Sequence, residues 1–211
     1  KSAVDEILWI WQKKSNNIAD LGSHVWDQWA DENGSIGKAY GYQLGVKHHY
    51  KEGDMDQVDR VLYDLKHNPQ SRRILTNIYV HQDLSEMALY PCAYGMTFNV
   101  TGNKLNAVLN QRSQDMLAAN IWNVCQYSAL TCMLAQVSGL EPGEFVHVIA
   151  DAHIYDRHVP IVEKLIEKTP FDAPTVTLDK SVTDFYSFTK DSFKIENYNF
   201  HEFTEKIPVA I

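Results

Sequence analysis

The sequence predicts a single domain of the α+β class. Three observations predict it: apolar residues recur at helical spacing in some segments, β-rich segments lie between these, and no repeat, low-complexity run or linker divides the chain. The chain has 211 residues, of which 45% are hydrophobic and 22% charged. This composition allows one sizeable core and excludes the disordered and fibrous classes. We therefore expect one domain over residues 1–211.

Four segments have the features of helices. Residues 2–14 carry apolar side chains at helical spacing behind Ser2, a candidate N-cap. Residues 56–67 have one apolar face, and residues 158–169 have another. Residues 119–138 are apolar on nearly every side, which predicts a buried central helix.

The β-rich segments complete the expected domain. Residues 74–80 form one such segment. Residues 94–100 and 105–109 flank the turn-forming residues 101–104, which predicts a hairpin. Residues 145–151 are predicted to form a buried strand.

Charge and cysteine content narrow the class of protein. Lys and Arg number 19 against 27 for Asp and Glu, so the net charge is −8, which argues against sequence-independent binding of nucleic acid. The first residues, KSAVDEILWIWQKK, are too acidic for a signal peptide, and no apolar run is long enough to span a membrane. The three cysteines include no CxxC pair. We expect a soluble, cytoplasmic protein with reduced thiols and a small partner.

One cysteine is a candidate nucleophile. Cys92 follows Pro91 at the start of a predicted strand, whereas Cys125 and Cys132 lie seven apart on the central helix and look like small core residues. Burial statistics favour a core role for any lone cysteine, but a nearby arginine would lower the pKa of a thiol.

The arginines have two interpretations. Arg72 and Arg73 are either a solvated surface pair or a phosphate clamp, because guanidinium groups match phosphate oxygens. Arg112 belongs to NQRSQD, residues 110–115, where an amide, a guanidinium, a hydroxyl and a carboxylate stand at the end of a predicted strand. We favour a ligand for that segment.

Further polar residues leave alternatives open. Asn123 lies in the apolar central helix, so it has a buried partner or faces a ligand. His153 and Tyr155 would share one side of an extended segment, and a metal site at Asp151, His153 and His158 is a less favoured alternative because no typical ligand spacing accompanies it. Glu6 is either an exposed residue or a partly buried acid with a raised pKa.

Taken in order, these motifs resemble the thymidylate synthase family. YPC, NQRSQD, WNVCQYSALT and DAHIYDRH carry the resemblance, with EILWIW, HVWDQWADENGSIGKAYGYQ, NPQSRR and the terminal PVAI as further support. The similarity covers essentially the whole chain. The short segment between AYGYQ and the predicted helix 56–67 resembles the compact, bacillus-type branch of the family.

The resemblance implies a fold and a reaction. The fold would have a large mixed β-sheet flanked by helices, with the sheets of a homodimer stacked back to back. The reaction would convert dUMP and 5,10-methylenetetrahydrofolate, a co-substrate, into thymidylate and dihydrofolate. No membrane, DNA or metal would take part, although some family members bind messenger RNA.

The resemblance also assigns catalytic roles. Cys92 would be the thiolate that adds to C6 of the uracil ring, and Glu6 would move protons through ordered water at the O4 side. Arg112 would bind phosphate and favour the Cys92 thiolate. Trp26 and Tyr40 would line the reacting centre.

The remaining assignments concern binding. Arg72 and Arg73 match arginines that reach the phosphate in the partner subunit. The other positions with implied contacts to phosphate, pyrimidine, ribose or folate are Ser113, Gln114, Asp115, Ala118, Asn123, His153, Tyr155 and, in the tail that closes over the folate, Ala210. Polar neighbours are expected to hold the Asn123 amide in one orientation, so that it accepts uracil and rejects cytosine.

The chain departs from the family pattern at four places. Ala93 follows the nucleophile where His is common. Residues 118–123 read Ala-Ala-Asn-Ile-Trp-Asn instead of Leu-Gly-x-Pro-Phe-Asn. Ala118 thus removes an apolar contact to folate, and Ala119 adds a Cβ where a glycine approaches the base. The chain also begins where the family's first catalytic helix begins, so about the first quarter of the pattern is absent.

These departures leave two alternatives to the synthase. One is a pyrimidine deoxynucleotide hydroxymethylase, in which water captures the methylene intermediate; the altered segment 118–122 keeps it open. The other is a catalytically weak protein that binds nucleotide or RNA. The presence of Trp26 and the PVAI tail, which exclude water, and of Cys92 with Glu6 and Asn123 favours the synthase.

Overall fold

Helices and strands are interspersed along the chain, as expected for the α+β class. The computed structural model describes residues 1–205 and 207–208. Within them the α-helices are α1 (Ser2–Leu8), α2 (Gly41–Gly45), α3 (Gln57–His67), α4 (Asn120–Val137) and α5 (Val159–Ile166). The strands are β1 (His48–Tyr50), β2 (Gly53–Met55), β3 (Leu75–Asn77), β4 (Ala93–Thr101), β5 (Lys104–Gln111), β6 (Gln114–Asp115), β7 (Glu141–Ile149), β8 (Ala152–His153), β9 (Thr175–Leu178) and β10 (Phe193–Glu196).

Four strands form the main sheet, in the order β3–β4–β5–β7. β4 and β5 are antiparallel and meet at a tight turn in which Gly102 has a φ of 63°, so the predicted hairpin is confirmed. β7 runs parallel to β5, and α4 provides the crossover between them. The sheet is therefore mixed, as expected.

The core lies between this sheet and two helices. α4 packs on β5 and β7, and α1 packs on α4. The largest fully buried side chains of the core include Trp9, Trp11 and Phe98, and the Trp11 and Phe98 rings meet edge to face with centroids 6.3 Å apart. No helix in residues 1–205 or 207–208 is long and apolar enough to cross a membrane.

The first predicted helix is confirmed, but its predicted N-cap is wrong. α1 continues as a π-helical turn over Trp9–Lys13, so helical structure covers nearly all of 2–14. The N-cap is Lys1, without a side-chain cap, because Ser2 is already helical. The Asp5 carboxylate, which a capping box would use, accepts the Gly22 N–H at 2.9 Å instead.

The helix predicted over 56–67 is also confirmed. Asp56 is its N-cap, and the Asp56 carboxylate accepts the Asp59 N–H at 2.9 Å. Val58 and Leu65 on its apolar face are buried. The helix thus packs by the face that the sequence predicts.

The central helix is buried only in its second part. Burial begins at Gln126 and continues to Val137, and Gly139, with a φ of 70°, follows the helix end. In the first two turns Ile121 is 74% exposed and Cys125 is also exposed. The prediction of a core role is therefore wrong for Cys125, whereas Cys132 is half-buried.

The strand predicted over 145–151 is confirmed as part of β7, but its predicted burial is wrong. Exposure alternates along β7, and Val146 and Val148 are 45% and 47% exposed. α4 covers only one face of the sheet in a single chain. An apolar strand face is thus left open to solvent.

Two short strands bring distant motifs together. β6 follows β5, β8 follows β7, and the pairs run parallel, with Gln114 opposite Ala152 and Asp115 opposite His153. Backbone hydrogen bonds from Gln114 N to Asp151 O (2.8 Å) and from Met116 N to His153 O (3.0 Å) extend this pairing. Segments 110–115 and 151–158 therefore lie side by side.

Candidate active site

The hairpin places Cys92 next to Arg112. Ala93 pairs with Gln111, so the residues just outside the two strand ends are neighbours, and Arg112 N donates to Cys92 O at 3.0 Å. The guanidinium is held by two carbonyls, with Nε 3.0 Å from Pro91 O and Nη2 2.8 Å from Tyr90 O. Nη2 also lies 3.6 Å from Cys92 Sγ.

Burial and charge oppose each other at Cys92. Burial raises the pKa of the thiol, and the positive charge of Arg112 lowers it, but burial is the larger effect and the pKa is raised overall. Arg112 therefore favours the thiolate, as the resemblance implies, and offsets part of the increase in pKa that burial causes.

Tyr40 connects Cys92 to an aromatic wall. Its hydroxyl accepts the Cys92 N–H at 3.2 Å, and its ring meets the Trp26 ring with centroids 5.1 Å apart. Burial raises the pKa of Tyr40 well above the ordinary value, so the phenol keeps its proton. Tyr40 has a φ of 44°, a strained value for a non-glycine residue that is often found at functional sites.

Glu6 is a buried acid, which decides between the two alternatives for this residue. Its Oε1 accepts from Trp26 Nε1 at 3.0 Å and its Oε2 from Trp122 Nε1 at 2.6 Å. Desolvation raises the pKa of Glu6, while Trp26, Trp122 and Gln126 each lower it. The net direction is upward, as expected for a proton carrier near neutral pH.

Asn123 is half-buried and lies beside buried side-chain amides. Its Nδ2 donates to Gln126 Oε1 at 3.0 Å, and its Oδ1 accepts from Gln111 Nε2 at 3.3 Å. Gln111 also donates to Ser113 O at 3.0 Å and to the side chain of Gln114. Asn123 thus has protein partners at both ends of its amide.

The Asp115 side chain binds the backbone of the segment that precedes α4. Its Oδ1 accepts the backbone N–H groups of Leu117 (2.9 Å) and Ala118 (3.1 Å). Its Oδ2 is 3.6 Å from Nδ1 of the fully buried His158. Ala119, which replaces a family glycine, has a φ of −116°, so an alanine adopts this backbone without strain.

His153, the last residue of β8, and Tyr155 lie next to each other. Their rings meet edge to face with centroids 5.0 Å apart. His153 Nδ1 lies 3.4 Å from Asp151 Oδ1 but without the geometry of a hydrogen bond, so this buried nitrogen has no partner among residues 1–205 and 207–208. The two rings are thus adjacent, and His153 Nδ1 remains available for a hydrogen bond to a ligand.

Two of the expected site residues are not brought to this group. Arg72 and Arg73 are exposed in the segment between α3 and β3, and their guanidinium groups have no partner in the described part of the chain. Ala210 lies outside the described residues. The structure therefore groups the expected residues around the base more fully than those around the phosphate.

Two contributors to the site, Trp122 and Gln126, are not predicted from the sequence. Trp122 donates to Glu6, and Gln126 contacts both Glu6 and Asn123. The available signal was their spacing: Trp122 and Gln126 are four residues apart, and Asn123 and Gln126 three apart, so all three share one side of α4.

Comparison with known proteins agrees with this geometry. The family model for thymidylate synthase matches residues 1–211. The thymidylate synthase of Bacillus phage phi3T and thymidylate synthase 1 of Bacillus subtilis strain 168 are each 46% identical to this chain over 202 residues, which cover 94% of this chain and 72% of the relative. The thymidylate synthase of Bacillus atrophaeus is 46% identical with 89% of its own length covered.

A solved structure is similar throughout. Thermostable thymidylate synthase A from Bacillus subtilis superimposes with a TM-score of 0.93 at 43% sequence identity, over 98% of this chain and 76% of that one. These matches do not support the hydroxymethylase or the catalytically weak binding protein. The chain is an α+β protein that belongs to the thymidylate synthase family, the methyltransferases that convert dUMP to dTMP.

Proposed function

We propose that the Cys92 thiolate starts the family's reaction in this chain. The observation that carries this proposal is the 3.6 Å contact between Arg112 Nη2 and Cys92 Sγ. The guanidinium favours the ionised sulfur, which is the nucleophilic form. Residues 1–211 act as one catalytic domain in this proposal.

The first step activates the pyrimidine ring. The Cys92 sulfur forms a bond to C6, and the electron pair of the C5–C6 double bond moves towards C4, so that O4 becomes an enolate oxygen and C5 becomes nucleophilic. The hydroxyl of Tyr40 accepts a hydrogen bond from the backbone of Cys92, which helps to fix the position of the sulfur. Its retained proton remains available for a hydrogen bond to substrate or water.

Glu6 serves the O4 side of the ring. A carboxyl group whose pKa is raised by burial can both take and return a proton near neutral pH. The indoles of Trp26 and Trp122 hold one carboxylate oxygen each, so the group is fixed in place. Asn123 reads the base through the amide hydrogen and the oxygen lone pair that its protein partners leave unused.

The co-substrate is 5,10-methylenetetrahydrofolate, which supplies the one-carbon unit and the hydride when bound. Asp115 fits a pterin ring because its Oδ2, apart from the 3.6 Å approach of His158, is available to ring N–H donors. Trp26 and Ala118 provide apolar contacts, and the proposed role of Ala210 is to close the tail over this site and exclude water.

The sugar and the phosphate of the nucleotide contact the two adjacent segments 110–115 and 151–158. His153 and Tyr155 hold the ribose 3′-hydroxyl, and the unpartnered Nδ1 of His153 is a candidate for that hydrogen bond. Arg112, Ser113 and Gln114 contribute the phosphate and pyrimidine contacts of this chain. The buried Nε2 of Gln114 has no partner in residues 1–205 and 207–208, so it too is available to a ligand.

The working unit in this proposal is a homodimer with its sheets stacked back to back. A continuous row crosses the outer sheet face, because Leu75 pairs with Thr97, Thr97 with Val108, and Val108 with Val146. Leu75 and Val146 are 50% and 45% exposed in the single chain. An apolar face of this kind is stabilised by a second copy.

The dimer gives the exposed arginines a role. Arg72 and Arg73 stand three and two positions before Leu75, next to the proposed interface. There they would bind the phosphate in the partner subunit, as the family resemblance implies. We also propose a cytoplasmic location, because all three cysteines are free thiols.

Product analysis tests the proposed reaction. The purified protein is incubated with dUMP and 5,10-methylenetetrahydrofolate, and thymidylate and dihydrofolate are measured. We expect the two products in equal amounts, with a loss of at least about 1000-fold in Cys92→Ser and little change in Cys132→Ser. Hydroxymethylated dUMP with tetrahydrofolate, or full activity in Cys92→Ser, would contradict the proposal.

A further inference from the structure

We propose that Gln126 is a positioning residue that fixes the orientation of the Asn123 amide and thereby the choice of uracil over cytosine. The inference rests on the proposed role of Asn123 as the base reader. A carboxamide presents a donor and an acceptor, and rotation by half a turn exchanges them. Asn123 therefore discriminates between the two bases only if something prevents that rotation.

The oxygen end of Asn123 is held weakly. Gln111 Nε2 approaches Asn123 Oδ1 at 3.3 Å, but the same nitrogen also faces Ser113 O at 3.0 Å and the side-chain oxygen of Gln114. An NH₂ group has two hydrogens for these three acceptors, and the contact with Asn123 is longer than that with Ser113. Gln111 alone therefore provides little resistance to rotation.

The nitrogen end is held more firmly. Asn123 Nδ2 donates to Gln126 Oε1 at 3.0 Å, and Gln126 is 1% exposed. A rotated Asn123 would place its oxygen against the oxygen of Gln126, and in a buried site such an oxygen pair has no water to relieve it. The orientation of Asn123 thus depends on the orientation of Gln126.

Glu6 fixes Gln126 in turn. Because Gln126 Oε1 accepts from Asn123, the Gln126 NH₂ group is directed away from Asn123, and the interaction of this side chain with the Glu6 carboxyl lowers the pKa of Glu6. The contact is weaker than an ordinary hydrogen bond, because the buried Nε2 of Gln126 has no such partner in the described part of the chain. A rotated Gln126 would turn its oxygen towards Glu6, so the carboxylate excludes that orientation.

This series has a direct consequence for the base. The ionised Glu6 carboxylate only accepts, Gln126 turns its oxygen to Asn123, and Asn123 is left with one hydrogen for an acceptor and one lone pair for a donor. Uracil offers the matching O4 and N3–H, whereas cytosine offers an amino group and a bare nitrogen. Cytosine binding then requires rotation of Asn123 against Gln126.

Two variants separate the acceptor role of Gln126 from its volume. Gln126→Met keeps much of the side-chain volume and removes the acceptor. Gln126→Glu keeps an oxygen towards Asn123, because repulsion from Glu6 is relieved by a proton shared between the carboxyls on their facing sides. The matched control is Gln136→Met on the same helix, where Gln136 Nε2 donates to Asp179 O and Val182 O, both at 2.8 Å.

The measurement is the ratio of the dissociation constants for dCMP and dUMP, obtained by calorimetry on the full chain. We expect Gln126→Met to lower this ratio about tenfold, which corresponds to one hydrogen bond, and Gln126→Glu and Gln136→Met to keep it within about threefold. An unchanged ratio in folded Gln126→Met would overturn the role of Gln126. Equal loss in Gln126→Glu would overturn it as well, since the acceptor would then be irrelevant.

The wild-type chain separates this inference from the proposed function. If the wild type binds dUMP and makes thymidylate but Gln126→Met keeps the full preference, only the inference fails. If the wild type binds neither nucleotide, the proposed function fails and the inference fails with it. Circular dichroism of each variant shows whether it is folded, and should Gln126→Met not fold, Gln126→Leu, which also lacks the acceptor, takes its place with the same expected loss of about tenfold.

Discussion

The proposed base side and the proposed phosphate side of the nucleotide site differ in how much of their bonding one chain supplies. Glu6 and Asn123 are each held by two or more side chains of the same chain. Arg72 and Arg73 are exposed, and their guanidinium groups have no partner among residues 1–205 and 207–208. The difference indicates that a single chain pre-forms the base side, whereas we propose that the phosphate side is completed by a second subunit.

Burial explains why the two sides differ. A buried carboxyl or amide without a partner costs free energy, so the fold surrounds Glu6 and Asn123 with donors and acceptors whether or not a ligand is bound. An exposed guanidinium is solvated and needs no such arrangement. The base side therefore depends on the core, and the phosphate side on assembly.

The largest expected effect follows from changing the base reader. In Asn123→Asp an ionised carboxylate accepts from the cytosine amino group and repels O4 of uracil, and a protonated one can also donate to N3 of cytosine. We expect the ratio of kcat/KM for dUMP to that for dCMP to fall by at least about 100-fold. Kinetics with both nucleotides in the two proteins measure it.

Two outcomes would contradict the role of Asn123 as the base reader. One is a wild type that already prefers dCMP, and the other is an Asp variant that keeps its full preference for dUMP. Either would mean that Asn123 does not read the base and that the segment 118–122 must be considered instead.

The phosphate side is tested by mixing two inactive chains. Arg72→Ala and Cys92→Ala are each expected to lose activity as homodimers. In a mixed dimer with shared sites, one site carries both changes and the other neither. After random exchange of subunits we expect about a quarter of wild-type activity, because half of the dimers are mixed and each has one intact site of two.

Formation of mixed dimers is checked separately with two affinity tags. Mixed dimers without recovered activity would show that each arginine serves its own chain. The phosphate side would then be completed within one subunit, and the contrast with the base side would disappear.

A smaller effect is expected at Trp122, on the base side. Trp122 lowers the pKa of Glu6 by donating to Oε2, so Trp122→Phe should raise that pKa further. If Glu6 must be ionised to accept a proton, the acidic limb of the kcat profile moves to higher pH, with a loss of about tenfold or less at neutral pH. The pH dependence of kcat measures this shift.

The control for this variant makes the same substitution elsewhere in the core. Trp9 Nε1 donates to Asn17 O at 3.0 Å and has no bond to Glu6. Trp9→Phe should reduce stability without moving the acidic limb. An acidic limb at the same pH in Trp122→Phe and in the wild type would show that Trp122 has no electrostatic role.

The sequence predicts most of the fold because local signals and packing agree. The hairpin around Gly102 and the helix capped by Asp56 have unambiguous turn and capping residues, and both are confirmed. The apolar composition of residues 145–151 predicts a buried strand. Composition alone does not show whether such a strand is covered within its own chain or by another chain. Its exposed Val146 and Val148 belong to a face that a single chain does not cover.

The site was predictable only in part. Motif resemblance indicated Cys92 and Glu6, and the structure gives both the expected kind of surroundings. Trp122 and Gln126 were not identified, because each lies on a helix whose apolar composition suggested core packing, and their partner Glu6 is more than a hundred residues away in the sequence. Contacts over such separations follow from the packing of α1 on α4, which spacing alone does not reveal.

The central claim is that one chain pre-forms the base side around a nucleophilic Cys92. The most direct test is the intact mass, under denaturing conditions, of protein incubated with 5-fluorodeoxyuridylate and 5,10-methylenetetrahydrofolate. We expect a covalent adduct that is absent in Cys92→Ser and present in Cys125→Ala and Cys132→Ala. An unchanged mass in a preparation that binds both ligands, or an adduct that persists in Cys92→Ser, would contradict the claim.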